Sequence, residues 1–188
     1  PLLGPGRSFV RDTHFMLAIH SVGRTTVVID ARTGQLVGPV DTGASMTDAV
    51  LSPDGQTMAL GDEGGGILIW SANPWGSMKA PPLRGHLLAV NAVAFTPDGR
   101  RIISAGSSSD LRVWDAETFQ EICSLPIDAR RCWMLRFSRD GKRFAYGLNR
   151  TDGVRVMIPS TEVIAPLTKP EIKGFDVGER LSADDFNG

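Results

Sequence analysis

The sequence predicts an all-β fold built from repeated units, and three observations predict it. Short apolar runs of strand length recur along the chain, Asp-Gly turns follow them at a fixed spacing, and no stretch shows the apolar period of a helix. The repeats read "AVLSPDGQTMALGDEGGGILIWSA" (49–72), "AVAFTPDGRRIISAGSSSDLRVWDA" (92–116) and "LRFSRDGKRFAYGLNRTDGVRVMIPS" (135–160). Pro53 and Pro97 stand 44 residues apart, as do Trp70 and Trp114, and Asp98 and Asp140 stand 42 apart. Upstream, "TVVIDARTGQLVG" aligns with "LRVWDAETFQEIC", so the chain holds four units of about 41–44 residues.

Within the clearest unit each element has a local cause. "NAVAF" is an apolar run of strand length, and Pro-Asp-Gly after it supplies a fixed φ, an Asx-type hydrogen bond and a tolerant glycine. "RRIISAG" and "LRVWD" are β-branched runs on either side of a Ser-rich hairpin, and "FQEICSL" makes a fourth strand after the "AET" turn. The chain's 12 prolines and 21 glycines cluster at the strand ends, where they interrupt regular structure.

Composition narrows the function classes. A hydrophobic content of 41% with a net charge of −1 suits a globular core and gives no electrostatic case for nucleic acid or an anionic membrane. No run approaches the length of a membrane-spanning helix. Cys123 and Cys132 are too few for a disulfide scaffold and fit a reducing compartment, so a cytoplasmic location is expected. The first residue, Pro1, suggests an excerpt from a longer chain.

The unit "GHLLAVNAVAFTPDGRRIISAGSSSDLRVWD" (85–115) resembles a WD40 repeat, opened by Gly85-His86 and closed by Trp114-Asp115. The resemblance extends over residues 1–166, with approximate blades at 1–44, 45–85, 86–130 and 131–166, and leaves a polar, acidic tail or linker at 167–188. The second unit has Ser71 after Trp70 and Asp41-Thr42 in place of Gly-His, and the third has lost Trp-Asp. The resemblance implies a β-propeller segment of about four four-stranded antiparallel blades. Four units do not obviously close a ring, so further blades or domains of a longer chain are expected partners.

In this family a hairpin Asp, the Gly-His histidine, a strand Ser or Thr and the Trp form a buried tetrad; the matching residues are His86, Ser104, Asp110 and Trp114. The chemistry supports the assignment, because a buried imidazole, hydroxyl or indole N–H is costly unless each satisfies another. The same Ser, His and Asp could be read as a hydrolase triad, but no nucleophile elbow or oxyanion donor is recognisable around Ser104. The second unit carries Leu60 and Gly66 at the Ser and Asp positions, so apolar packing is expected to hold it without a replacement network.

Other constellations give way to plainer readings. Gly64-Gly65-Gly66 leads into the strand "ILIW" and not into a helix, which argues against a phosphate cradle. His14 and His20 lack companions at metal-ligand spacing, so no metal and no cofactor are expected. Asp41-Thr42-Gly43 is the triplet of an aspartic protease, and a retroviral-type homodimer using it is the alternative reading. Offset by 44, however, Asp41-Thr42 falls on Gly85-His86, the connection between two blades. A propeller enzyme with a ligand in its channel is a second alternative.

The resemblance implies a non-catalytic scaffold for other proteins or peptides, in a multidomain protein such as a bacterial signalling or kinase-linked one. It also implies a binding face, carried over by repeat phase to Ala89, Asn91 and Ser109, to Ser45, Thr47 and Gly65, and to Arg131, Trp133 and Thr151. Arg131 and Trp133 stand out, since Arg and Trp dominate interface energetics.

Overall fold

The computed structural model describes residues 7–9, 15–19, 25–30, 33, 35–41, 43, 45–72, 75–127, 131–138, 140–147 and 154–157. They form four antiparallel sheets, each a meander in chain order. The first contains β1 (Arg7–Phe9), β2 (Phe15–Ile19), β3 (Thr25–Asp30) and β4 (Gln35–Asp41). The second contains β5 (Met46–Leu51), β6 (Thr57–Asp62), β7 (Gly66–Ala72) and β8 (Trp75–Arg84). The third contains β9 (Val90–Phe95), β10 (Arg101–Gly106), β11 (Asp110–Asp115) and β12 (Glu121–Pro126). The fourth shows β13 (Met134–Phe137), β14 (Phe144–Gly147) and β15 (Val154–Met157). No helix among the described residues is long and apolar enough to cross a membrane.

The sheets stack face to face as blades of an open arc, with β5 against β9 and β9 against β13. Alternation along each strand sends successive side chains to opposite neighbours. Ala59, Ile67 and Ile69 of the second blade pack on Val93, Phe95, Ile102 and Trp114 of the third. The other face of the third blade, with Ala94, Ile103, Leu111 and Val113, meets Leu135, Phe144 and Tyr146 of the fourth. Because blades cover the second on both sides, every residue of β6 and β7 is buried. This explains why "MAL" and "ILIW" within them are consecutive apolar residues that do not alternate with polar ones.

The turn after each inner strand has the same construction three times. The hydroxyls of Ser52, Thr96 and Ser138 donate to Asp54, Asp98 and Asp140. They also accept the amides of Thr57, Arg101 and Arg143, at 2.9, 3.0 and 3.0 Å. Besides the hydroxyl, each carboxylate accepts one backbone amide, from Gln56, Arg100 or Lys142, at 3.0 Å. Gly55, Gly99 and Gly141 complete the turns at φ +71, +72 and +70°, a conformation glycine adopts without penalty. Gly141 also lies against Pro97 of the preceding blade, as Gly99 lies against Pro53, so the turns pack in series along the arc.

Asp41 is the last residue of β4, paired with Thr25, and Gly43 turns the chain towards β5. The protease-like triplet thus falls at the exit of an outer strand. Thr42, Arg130, Thr151, His14, His20 and the 167–188 segment lie outside the described residues.

Candidate partner-binding face and the polar network behind it

The third blade brings His86, Ser104, Asp110 and Trp114 together from the 85–89 connection, β10 and β11. Trp114 Nε1–H donates to Ser104 Oγ at 2.8 Å, and Ser104 Oγ lies 2.8 Å from His86 Nε2. His86 Nδ1 lies 3.1 Å from Ser108 Oγ and 3.3 Å from Asp110 Oδ1. That oxygen is buried and has no aligned hydrogen bond among the described residues, so its contact with the ring is electrostatic. One proton assignment suits all of these contacts. The carboxylate favours the proton on Nδ1, and Nε2 then accepts from Ser104, whose oxygen is free to accept from the indole. The donors run in one direction, from Trp114 through Ser104 and His86 towards the anionic end.

Charge within the network is fixed. Burial lowers the pKa of His86, opposed by Asp110 and reinforced by Arg112, so the ring is neutral near pH 7. Burial acts to raise that of Asp110, but the Ser108 side chain, the His86 ring once protonated at acid pH, and the Arg112 guanidinium hold it below the usual carboxylate range. Arg112 Nε donates to Asp110 Oδ2 at 2.8 Å, and its Nη1 donates to Glu121 at 2.7 Å. Gly85 makes room for this pairing, since a methyl group there would come within 2.7 Å of Arg112 Nη1. Asp115, which closes the unit, caps the β11–β12 turn by accepting the amides of Glu117 and Thr118, and takes an ion pair from Arg101 at 2.7 Å.

This geometry is close to that of a hydrolase triad, yet it cannot act as one. Ser104 is 0% exposed and its Oγ already receives the Trp114 indole, so no substrate reaches it. Neither cysteine is disulfide-bonded, and burial pushes Cys132 up to about 11, far from a reactive thiolate. Among the described residues no group of three or more His, Cys, Asp or Glu could hold a metal ion.

The second blade lacks the network. Trp70 Nε1 is buried without a hydrogen-bond partner among the described residues, and the ring sits in an apolar cluster with Leu51, Met58 and Leu60. A polar device absent from the sequence reading caps its hairpin instead. Asp62, buried at the end of β6, accepts the Gly66 amide at 2.7 Å and lies 3.9 Å from Arg84.

The carried-over face residues divide into two groups. Thr47 and Asn91 turn into the fold. The Thr47 hydroxyl bridges the carbonyls of Gly61 and Val90 across two blades, and Asn91, 9% exposed, donates to Ser107. Inner strands have an open hydrogen-bonding edge, and short polar side chains beside it are taken up there. Ser45, Ser109, Arg131 and Trp133 are exposed. The Arg131 guanidinium stands 5.4 Å from the centre of the Trp133 ring, a cation–π arrangement. Sequence reasoning missed Leu87 and Leu88, 86% and 54% exposed on the loop between β8 and β9. Their only signal was two leucines in a connection that needs none.

Four-stranded meanders stacked around inner strands define the chain as a segment of a β-propeller. The stretch 79–115, from the end of β8 through β11, matches the family model described as "WD domain, G-beta repeat", so this unit is similar to a WD40 repeat. An uncharacterized WD repeat-containing protein of Synechocystis is 28% identical over 136 residues, covering 70% of this chain and 37% of its own. Apoptotic protease-activating factor 1 of Rattus norvegicus is 28% identical over 76% of this chain and 11% of its own length. The small ribosomal subunit protein RACK1 of Schizosaccharomyces pombe is 26% identical over 52% of this chain and 32% of its own. Hydrazine synthase of Kuenenia stuttgartiensis superposes with a TM-score of 0.71 at 16% identity, covering 81% of this chain and 45% of that one, which is a likeness of fold alone. The chain therefore spans well under half of the curated relatives described here.

Proposed function

We propose that this chain is a non-catalytic interaction scaffold, part of a larger multidomain protein such as a cytoplasmic bacterial signalling or kinase-linked one, and that Arg131 and Trp133 anchor its protein partner. The WD-repeat relatives support an interaction scaffold in general. The observation that carries the proposal is Trp133, left 51% exposed at the entrance to β13 with a guanidinium stacked on it. A tryptophan placed only for packing between blades would be covered, as Trp114 is at 3%. His86, Ser104, Asp110 and Trp114 serve as the structural tetrad that keeps the neighbouring loop and hairpin in place.

Site-specific photo-crosslinking in the native cell tests this reading. A photoreactive residue at Ser45 or Ser109 should yield the same protein adducts, and one at Gln56, on the opposite end of the blades, should not. Adducts of equal yield from Gln56, or none from Ser45 and Ser109, would count against it.

A further inference from the structure

Large apolar side chains are costly to leave in water, and only four large hydrophobics among the described residues are exposed: Met78, Leu87, Leu88 and Trp133. Three of them lie on the two connections that enter β9 and β13. Close contacts make these connections parts of one continuous rim. Gly65, in the β6–β7 hairpin, lies against the carbonyls of His86 and Leu88. Ser107 donates its amide to Ala89 at 3.0 Å, and Cys132 donates its amide to Gly106 at 3.1 Å. The rim therefore runs from the hairpin at 63–65, across Leu87 and Leu88 and the hairpin at 107–109, to Arg131 and Trp133.

The charges along this rim are ordered. Arg84 is matched by Asp62, and Arg112 by Asp110 and Glu121. No described residue forms an ion pair with Glu63 at one end or with Arg131 at the other, and both are exposed. An anion, an apolar pair and a cation stacked on an indole thus follow one another across three blades.

We infer that this rim takes a peptide segment of fixed polarity, with a basic residue over Glu63, bulky apolar residues over Leu87 and Leu88, and an acidic residue over Arg131. The inference rests on the scaffold reading and names the chemistry of the partner. The apolar centre and the exposed Trp133 ring supply most of the affinity, while the two charges set direction and reject the reversed sequence, as complementary rim charges do elsewhere.

Selection of displayed random dodecapeptides on the purified protein tests it. Enriched peptides should carry the order basic, apolar, acidic. A Leu87→Ser/Leu88→Ser variant, altered only on an exposed loop, should lose about tenfold or more in affinity for them with an unchanged melting midpoint. In Glu63→Lys the preferred residue at that end should switch from basic to acidic, and in Arg131→Glu the other should switch from acidic to basic. Peptides that bind without this order, or bind all three variants unchanged, would overturn the inference and leave the scaffold reading intact. A selection that enriches no binder would overturn both.

Discussion

Ser104 is the residue on which the third blade depends most. Its single hydroxyl accepts from Trp114 and faces His86 Nε2, both at 2.8 Å, in a site closed to water. Removing it orphans two buried polar groups, each costing roughly 1–3 kcal/mol. Ser104→Ala is therefore expected to lower stability by about 2–5 kcal/mol in urea denaturation, whereas Ser109→Ala, at an exposed hairpin position, should change it by less than about 1 kcal/mol. Equal effects would show that the network is not the source of the stability. Trp70 presents the converse case: its N–H has no partner to lose among the described residues, so Trp70→Phe should cost little beyond the lost ring area. The tetrad residues were legible in the sequence because the resemblance assigns them by motif. Asp62 was not, because its role depends on the backbone path of a hairpin whose glycines could turn in several ways.

At the scale of elements, the repeat itself was legible. The period of 42–44 residues located the turns, and the apolar runs located β5, β6, β7, β9, β10 and β11. What remained hidden was the residue that opens each turn. Ser52, Thr96 and Ser138 stand two positions before the Asp of the Asp-Gly pair and look like ordinary loop polar residues. Only the closed turn reveals that one hydroxyl serves both the carboxylate and the amide five positions on. Thr96 is buried, so Thr96→Val keeps the shape and removes both interactions. The expected cost is about 1–3 kcal/mol, with faster amide exchange at Arg101, and wild-type stability in that variant would refute this account of the turn. The exposure of Leu87 and Leu88 was equally hidden. Local sequence says that a connection is present but not whether a neighbouring blade will cover it.

At the scale of the whole molecule, contacts between residues about 45 apart join the blades, and these no local pattern displays. Asp48 on β5 accepts the Val93 amide of β9 at 2.9 Å, capping the open edge of the next inner strand. Burial raises its pKa to about 6, against the opposing effects of the Val93 hydrogen bond and Arg136. A carboxyl raised in the fold opposes folding once ionised, so its destabilisation develops as pH rises from the ordinary carboxylate range through about 6. Asp48→Asn preserves the acceptor and should stabilise the protein by up to about 3 kcal/mol at pH 7, a gain that fades as the pH is lowered towards 4. His86 acts in the opposite sense. With its folded pKa lowered, its contribution is complete above the ordinary histidine value and declines as pH falls below it. The proposed function puts the partner at one end of the blades, and its most direct test is the affinity of the cross-linked partner for Trp133→Ala, measured by calorimetry beside wild type. Loss of about tenfold or more in a variant that melts normally is the expected result; unchanged affinity in a folded Trp133→Ala protein would contradict the claim that this face is where the partner binds.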